Sequence, residues 1–166
     1  DAKIILYNFE KLCGYKFSVE SVENLAARFP KNIIGVKDSS YNLMGNLNIK
    51  NFSILPGSEL KLLNGLKKDC SGIITATCNV TAKLARKVFD DFEQNKEQTV
   101  NDKLCEVRKA FDQFNLISGL HSFLSLTDKQ FLNILPTCSL LNEKDGKILI
   151  DKLKDLEFLK KDFKAA

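Results

Sequence analysis

Asn32-Ile33-Ile34-Gly35-Val36-Lys37-Asp38-Ser39-Ser40 decides how the rest of the chain is read. An apolar run with one glycine leads straight into a lysine, then an acid and two hydroxyls. The pattern predicts a short buried strand ending in a charged, hydrogen-bonding cluster. An ammonium at the mouth of an apolar strand is poorly solvated, and poor solvation favours the neutral amine. A neutral amine is a nucleophile toward a carbonyl. The plain alternative is a strand-end lysine reaching into water. What surrounds the strand separates the two.

Upstream, Ile4 to Tyr7 is a short β-prone run. Asn8 to Phe17 reads as a loop with Gly14 as its flexible point. Ser18 then reads as a helix N-cap, with Val19, Val22, Leu25, Ala26 and Phe29 at helical spacing and Pro30 as the stop. Downstream, Tyr41 to Leu47 reads as a short helix, with Ser39 and Ser40 helping to cap it. Phe52 to Leu55 reads as a third strand closed by Pro56-Gly57, and Glu59 to Lys68 as a helix. Gly72 to Thr75 reads as a fourth strand, with Asn79 capping the helix that follows. This alternation predicts a parallel sheet flanked by helices. After about Asn95 the character changes. Val100, Leu104, Val107, Phe111 and Phe114 mark an amphipathic helix. Leu116 to Leu141 is mixed, and Glu143 to about Phe158 is a last helix. Residues 1–95 are thus expected to form one domain and residues 96–166 a helical extension. Four parallel strands cannot close a barrel that needs eight. The abrupt opening at Asp1-Ala2-Lys3 favours the second half of such a barrel over an open sheet.

Composition narrows the function classes. The chain has 166 residues, 44% hydrophobic and 28% charged, which is the composition of a folded globular domain. The net charge of +4 is scattered. The densest run, Lys152 to Lys164, alternates lysines with acids and apolar residues, as a solvated helix face does. Neither a nucleic-acid footprint nor a membrane span is expected. The five cysteines, Cys13, Cys70, Cys78, Cys105 and Cys138, form no Cys-x-x-Cys pair and are read as reduced thiols of a cytoplasmic protein. With His121 as the lone histidine, no metal site is expected, and a Ser-His-Asp or Cys-His arrangement would have to use His121 itself. No dinucleotide-binding or Walker glycine loop is present.

The motifs Tyr7-Asn8, Gly14, Ile33 to Ser40, Pro56-Gly57-Ser58-Glu59, and Gly72-Ile73-Ile74 followed by Asn79-Val80 carry a resemblance. The chain resembles the C-terminal half of the dihydrodipicolinate synthase / N-acetylneuraminate lyase family, over about residues 3–95 and more loosely beyond. The resemblance implies strands five to eight of a (β/α)8 barrel followed by a helical extension. It implies that Lys37 forms a Schiff base with pyruvate or another 2-oxo acid and that Tyr7 relays protons. It implies that the main-chain carbonyl of Ile74 shapes the pocket beside the lysine. No cofactor is then expected, because the covalent imine is itself the electron sink. The partners implied are a small 2-oxo acid, an aldehyde and the N-terminal half-barrel, in a homo-oligomer that is typically a tetramer. The family's carboxylate-binding loop and second tyrosine belong to that other half.

Departures from the family pattern bear on the second substrate. The synthase typically reads Tyr-Asn-x-Pro-x-Arg-Thr-Gly, whereas here Glu10 replaces the proline and Leu12 the arginine. The guanidinium suited to a carboxylate is absent, and Lys11 offers only a point charge on another vector. Leu12 is similar to the sialate lyases and to several 2-keto-3-deoxy-sugar-acid aldolases. Sialate lyases usually carry two acids where this chain has Glu59 and Leu60, which favours the sugar-acid aldolases. Glu59 is a candidate for holding a substrate hydroxyl, or is simply a first-turn helix acid favoured by the dipole. Thr75 and Cys78 are candidates for lining the pocket. The leading expectation is a class I lyase or aldolase that cleaves or forms a 2-keto-3-deoxy acid. The alternatives are dihydrodipicolinate synthase itself, and a non-catalytic half-barrel acting as an interaction module.

Overall fold

The computed structural model describes residues 2–159, so the end of the charged run, residues 160–166, lies outside the described residues. Three strands form one parallel sheet in the order β1-β2-β3: β1 Ile4–Asn8, β2 Ile33–Asp38 and β3 Ser53–Pro56. The helices are α1 Glu10–Cys13, α2 Val19–Arg28, α3 Leu62–Leu66, α4 Cys78–Glu93, α5 Asn101–Phe111, α6 Leu116–Leu124 and α7 Glu143–Asp155. Two 3-10 turns, Glu59–Lys61 and Lys129–Leu132, complete the set.

The described residues divide into two compact units. The first holds residues up to Thr75 together with Arg86–Gln98. Strand alternation gives its sheet two different faces. Leu6, Val36 and Ile54 face α2 and the following loops, and pack with Val22, Leu43, Met44 and Cys70. Ile5, Tyr7, Lys37 and Leu55 fall on the opposite face. α2 forms where expected: the Ser18 hydroxyl accepts from the Ser21 amide at 3.1 Å, and Val22 and Ala26 are buried. The second unit holds Ala76–Ala85 and the described residues from Thr99 onward. Its core is Val107, Ala110, Phe111, Leu120, Leu149 and Leu153, at the helical spacings read from α5 and α7.

Four elements differ from the sequence expectation. The loop after β1 contains the helix α1, closed by Gly14 at φ 68°. Tyr41 to Leu47 is not a helix but a series of bends and turns. Its backbone amides are drawn to a side chain, Asp38, which competes with helical bonding. Asn79 is not the cap of α4. It lies inside the first turn, and its side-chain amide donates to the Ala76 carbonyl at 2.8 Å.

The fourth expected strand, Gly72 to Thr75, does not form a regular ladder, so the described residues hold three strands and not four. The segment still runs along β3. The Ser71 amide donates to the Ile54 carbonyl at 3.0 Å and the Ile74 amide to the Pro56 carbonyl at 3.1 Å. Those acceptors are two residues apart and the donors three, so one extra residue interrupts the pairing. Gly72 lies in this gap at φ 137°, a conformation that favours glycine.

Candidate active site

The C-terminal ends of the three strands converge. The β1–β2 register pairs Tyr7 with Lys37 and Asn8 with Asp38. The β2–β3 register pairs Lys37 with Leu55 and Asp38 with Pro56. Neighbours in a parallel register point the same way, so Tyr7 and Lys37 share one face and Asn8 and Asp38 the other. The Lys37 ammonium nitrogen lies 4.2 Å from the centroid of the Tyr7 ring. That contact is a cation–π pair, and Lys37 is half-buried. Phe9 packs on Tyr7 with ring centroids 5.8 Å apart. The sheet therefore delivers an amine and a phenol side by side at the strand ends.

Behind this pair lies the polar cluster expected at the end of the strand, with partners that the pattern did not supply. Asn8 and Asp38 are fully buried. Asp38 Oδ1 accepts from Asn8 Nδ2 at 2.8 Å and from the Tyr41 amide at 2.8 Å. Asp38 Oδ2 accepts from the amides of Leu43 at 2.9 Å and Met44 at 3.0 Å. Asn8 Nδ2 also donates to Asn42 Oδ1, while Asn42 Nδ2 donates to the Phe17 carbonyl and the Phe17 amide donates to Asn8 Oδ1. Both Asp38 oxygens and the full Asn8 amide are satisfied, as burial requires. The loops after β1 and β2 are tied together again where the Glu10 amide donates to Ser40 Oγ. An Asp followed at three, five and six residues by backbone donors leaves no trace in hydrophobic periodicity. The one usable signal was an acid placed beside an apolar strand.

The other predicted residues are spread over the chain. Glu59 is fully buried, and its Oε2 accepts from the Thr75 hydroxyl at 2.9 Å. These two form a second polar pair just beyond β3. Ile74 is 39% exposed and is held by its amide to Pro56. Leu12 lies on α1 and is 71% exposed. Cys78 belongs to the second unit. A cleft of about 440 Å³ is lined by Phe9, Glu10, Lys11, Lys16, Ser39, Ser40 and Tyr41, so Lys11 and not Leu12 lines it. His121 lies in the second unit, its Nδ1 3.0 Å from the Phe131 carbonyl oxygen. None of the five cysteines, all among the described residues, is in a disulfide. Among the described residues no three His, Cys, Asp or Glu side chains gather as a metal site, and no helix is long and apolar enough to cross a membrane.

The model of the dihydrodipicolinate synthetase family matches residues 1–149. A 4-hydroxy-tetrahydrodipicolinate synthase of Hydrogenobaculum is 28% identical over 161 residues, 89% of this chain and 53% of its own length. An uncharacterised DapA-like lyase of Chloroflexus aurantiacus is 28% identical over 132 residues, 76% of this chain and 44% of its own length. A probable 2-dehydro-3-deoxy-D-pentonate aldolase of Escherichia coli is 29% identical over 116 residues, 63% of this chain and 38% of its own length. The chain thus spans about half the length of the first two of these relatives and less of the third. Among solved structures, the dihydrodipicolinate synthase of Thermotoga maritima superposes with a TM-score of 0.83 at 20% identity, over 95% of this chain and 57% of that one. A monomeric dihydrodipicolinate synthase variant reaches 0.85 at 20% identity, over 96% and 56%. Those likenesses identify the fold as a partial TIM barrel. With the family model matched over most of its length, the chain belongs to the dihydrodipicolinate synthetase family.

Proposed function

We propose that this chain carries the imine-forming lysine of a class I lyase or aldolase that cleaves or forms a 2-keto-3-deoxy acid. The observation that carries the reading is the Lys37 amine 4.2 Å from the Tyr7 ring, on adjacent parallel strand ends. The Lys37 amine adds to C2 of pyruvate, and loss of water leaves an imine. The positively charged imine draws electrons from the C3–H bond, and loss of that proton gives an enamine. The enamine carbon attacks the aldehyde carbon and forms a C–C bond. Water then adds to the imine, releasing the keto acid and restoring the amine. Cleavage runs the same steps backwards. The Tyr7 phenol is assigned the proton transfers to and from the groups on the lysine. The imine serves as electron sink, so the reaction takes no separate cofactor. Glu59, joined to Thr75, is assigned to a substrate hydroxyl, and the Ile74 backbone to the pocket wall.

The reading takes the carboxylate-binding loop and a second tyrosine from the N-terminal half of the barrel. It takes a cytoplasmic homo-oligomer as the working form. A family neighbour of the same fold, from Escherichia coli, was solved in complex with pyruvate, which supports pyruvate as the 2-oxo acid. The named aldolase relative supports a sugar-acid product. A second reading, condensation of pyruvate with aspartate semialdehyde, is favoured by the synthase relatives. Leu12 weighs against it, because an isobutyl group offers a carboxylate nothing.

The test uses the full-length protein with pyruvate and borohydride, digested and analysed by mass spectrometry. A reduced pyruvyl adduct is expected on the peptide containing Lys37 and is expected to vanish in Lys37→Ala. An unmodified Lys37 would overturn the mechanism. Turnover of a 2-keto-3-deoxy sugar acid without condensation of aspartate semialdehyde separates the two readings.

A further inference from the structure

We propose that Asp38 is a positioning residue for the imine chemistry, acting through the buried clamp that joins the ends of β1 and β2. The inference rests on the reading of Lys37 given above and extends it to a residue that touches neither substrate nor imine. Asp38 directly follows Lys37 and points to the opposite face of β2. Four donors hold its two oxygens, at 2.8, 2.8, 2.9 and 3.0 Å. One donor is Asn8, which directly follows Tyr7. The carboxylate thus ties the backbone that roots the amine to the backbone that roots the phenol, one register step beyond them. The other donors come from Tyr41, Leu43 and Met44, so the loop after β2 is tied to the same point. Asn42 carries the clamp to Phe17 at the far end of the loop after β1.

This arrangement fits positioning better than simple core filling. Tyr41 is held at φ 58°, a conformation that is costly for an aromatic residue, and its amide is one of the four donors. A carboxylate is the one side chain of this size that accepts at both ends. Asparagine there would turn an amide toward backbone N–H groups on at least one side. The clamp then loosens while the apolar packing of Val36, Leu43 and Met44 stays in place.

The experiment follows capture of the pyruvyl imine by cyanoborohydride at saturating pyruvate, in the full-length protein. Asp38→Asn is expected to slow capture about tenfold, the scale of a displaced reacting group, with little change in half-saturating pyruvate. Hydrogen exchange at the Leu43 and Met44 amides is expected to quicken in the same variant. The decisive readout is a cycle with Tyr7→Phe. If Asp38 works by aligning the phenol with the lysine, Asp38→Asn slows capture by less than about threefold once the hydroxyl is gone. A structural residue would cost the same in both backgrounds. Capture at the parental rate, or equal cost with and without the Tyr7 hydroxyl, overturns the proposal. Should Asp38→Asn fail to fold, Asn42→Ala tests the same clamp from its half-exposed side. A smaller slowing is expected there, again dependent on the Tyr7 hydroxyl, and an independent effect overturns the idea. No adduct in the unaltered protein would instead overturn the reading of Lys37, and this proposal with it.

Discussion

Cys70 shows how the surroundings of one side chain change its chemistry. Its thiol is raised from the ordinary 9.0 to about 11, first by burial and then by the carboxylates of Asp38 and Asp69, with Lys68 opposing. A thiol protonated in the fold but ionised in the unfolded chain favours unfolding as pH climbs. Below about 9 both states hold the proton and Cys70 contributes no pH dependence. Between about 9 and about 11 the unfolded state alone loses it, so stability is expected to fall across that window. Denaturant titrations of the parent and Cys70→Ala at several pH values check this, since the variant lacks that slope. At pH 8, iodoacetamide is expected to label exposed Cys13 well before Cys70. The position of Lys37 and Tyr7 near adjacent strand ends was legible because each closes an apolar run. Asp38 was legible only as an acid in a motif. Three of its four donors are backbone amides, which every residue but proline carries and no sequence pattern distinguishes.

Among the elements, the parallel strands and α2 are written plainly. β2 is apolar up to its lysine, and α2 has a hydroxyl cap, a helical stripe and a terminal proline. The misread elements share a cause. Tyr41 to Leu47 has the composition of a short helix, but a buried carboxylate outcompetes its internal bonds. Gly72 to Thr75 has the composition of a strand, but a glycine interrupts its ladder. Asn79 is a good cap residue, but α4 begins one residue before it. Propensity loses in each case to a specific tertiary or backbone requirement. β2 also carries a close approach. A Cβ added at Gly35 would lie 2.6 Å from the Ser53 carbonyl oxygen, which is backbone of the paired strand. Gly35→Ala is therefore expected to destabilise the fold by about 1–3 kcal/mol, by forcing β2 and β3 apart. A urea unfolding midpoint compared with that of the parent measures it.

Across the whole molecule, the sheet has one face packed and one face open. Ile4, Ile5 and Tyr7 on edge strand β1 are 44%, 42% and 37% exposed, while Leu6 between them turns into the core. An apolar edge strand is a template for pairing with another chain. The chain of residues 1–166 is expected to bind an apolar dye and to associate as its concentration rises. Ile5→Lys is expected to reduce both, with the circular dichroism of the helices unchanged. Sedimentation velocity across a concentration series measures the association, and a parent that stays monomeric throughout would refute it. At this scale the sequence carried the family and the parallel α/β character. The placing of Ala76–Ala85 with the helical unit was not legible, because it depends on packing around Phe111 and Leu149 from residues far along the chain.

The extra residue beside β3 has a consequence for the buried Glu59. A Cβ at Gly72 would meet only the Leu55 side chain, at 4.0 Å, so space does not demand glycine there; the backbone angle does. A residue unable to hold that angle would restore an even count, and the Ile73 amide would take the Pro56 carbonyl in place of that of Ile74. From Ile73 to Thr75 each side chain would then take its neighbour's side of the segment, and Thr75 would turn its hydroxyl away from Glu59. The polarity of the space beyond β3 is thus governed by a residue with no side chain, three positions before the hydroxyl that it orients.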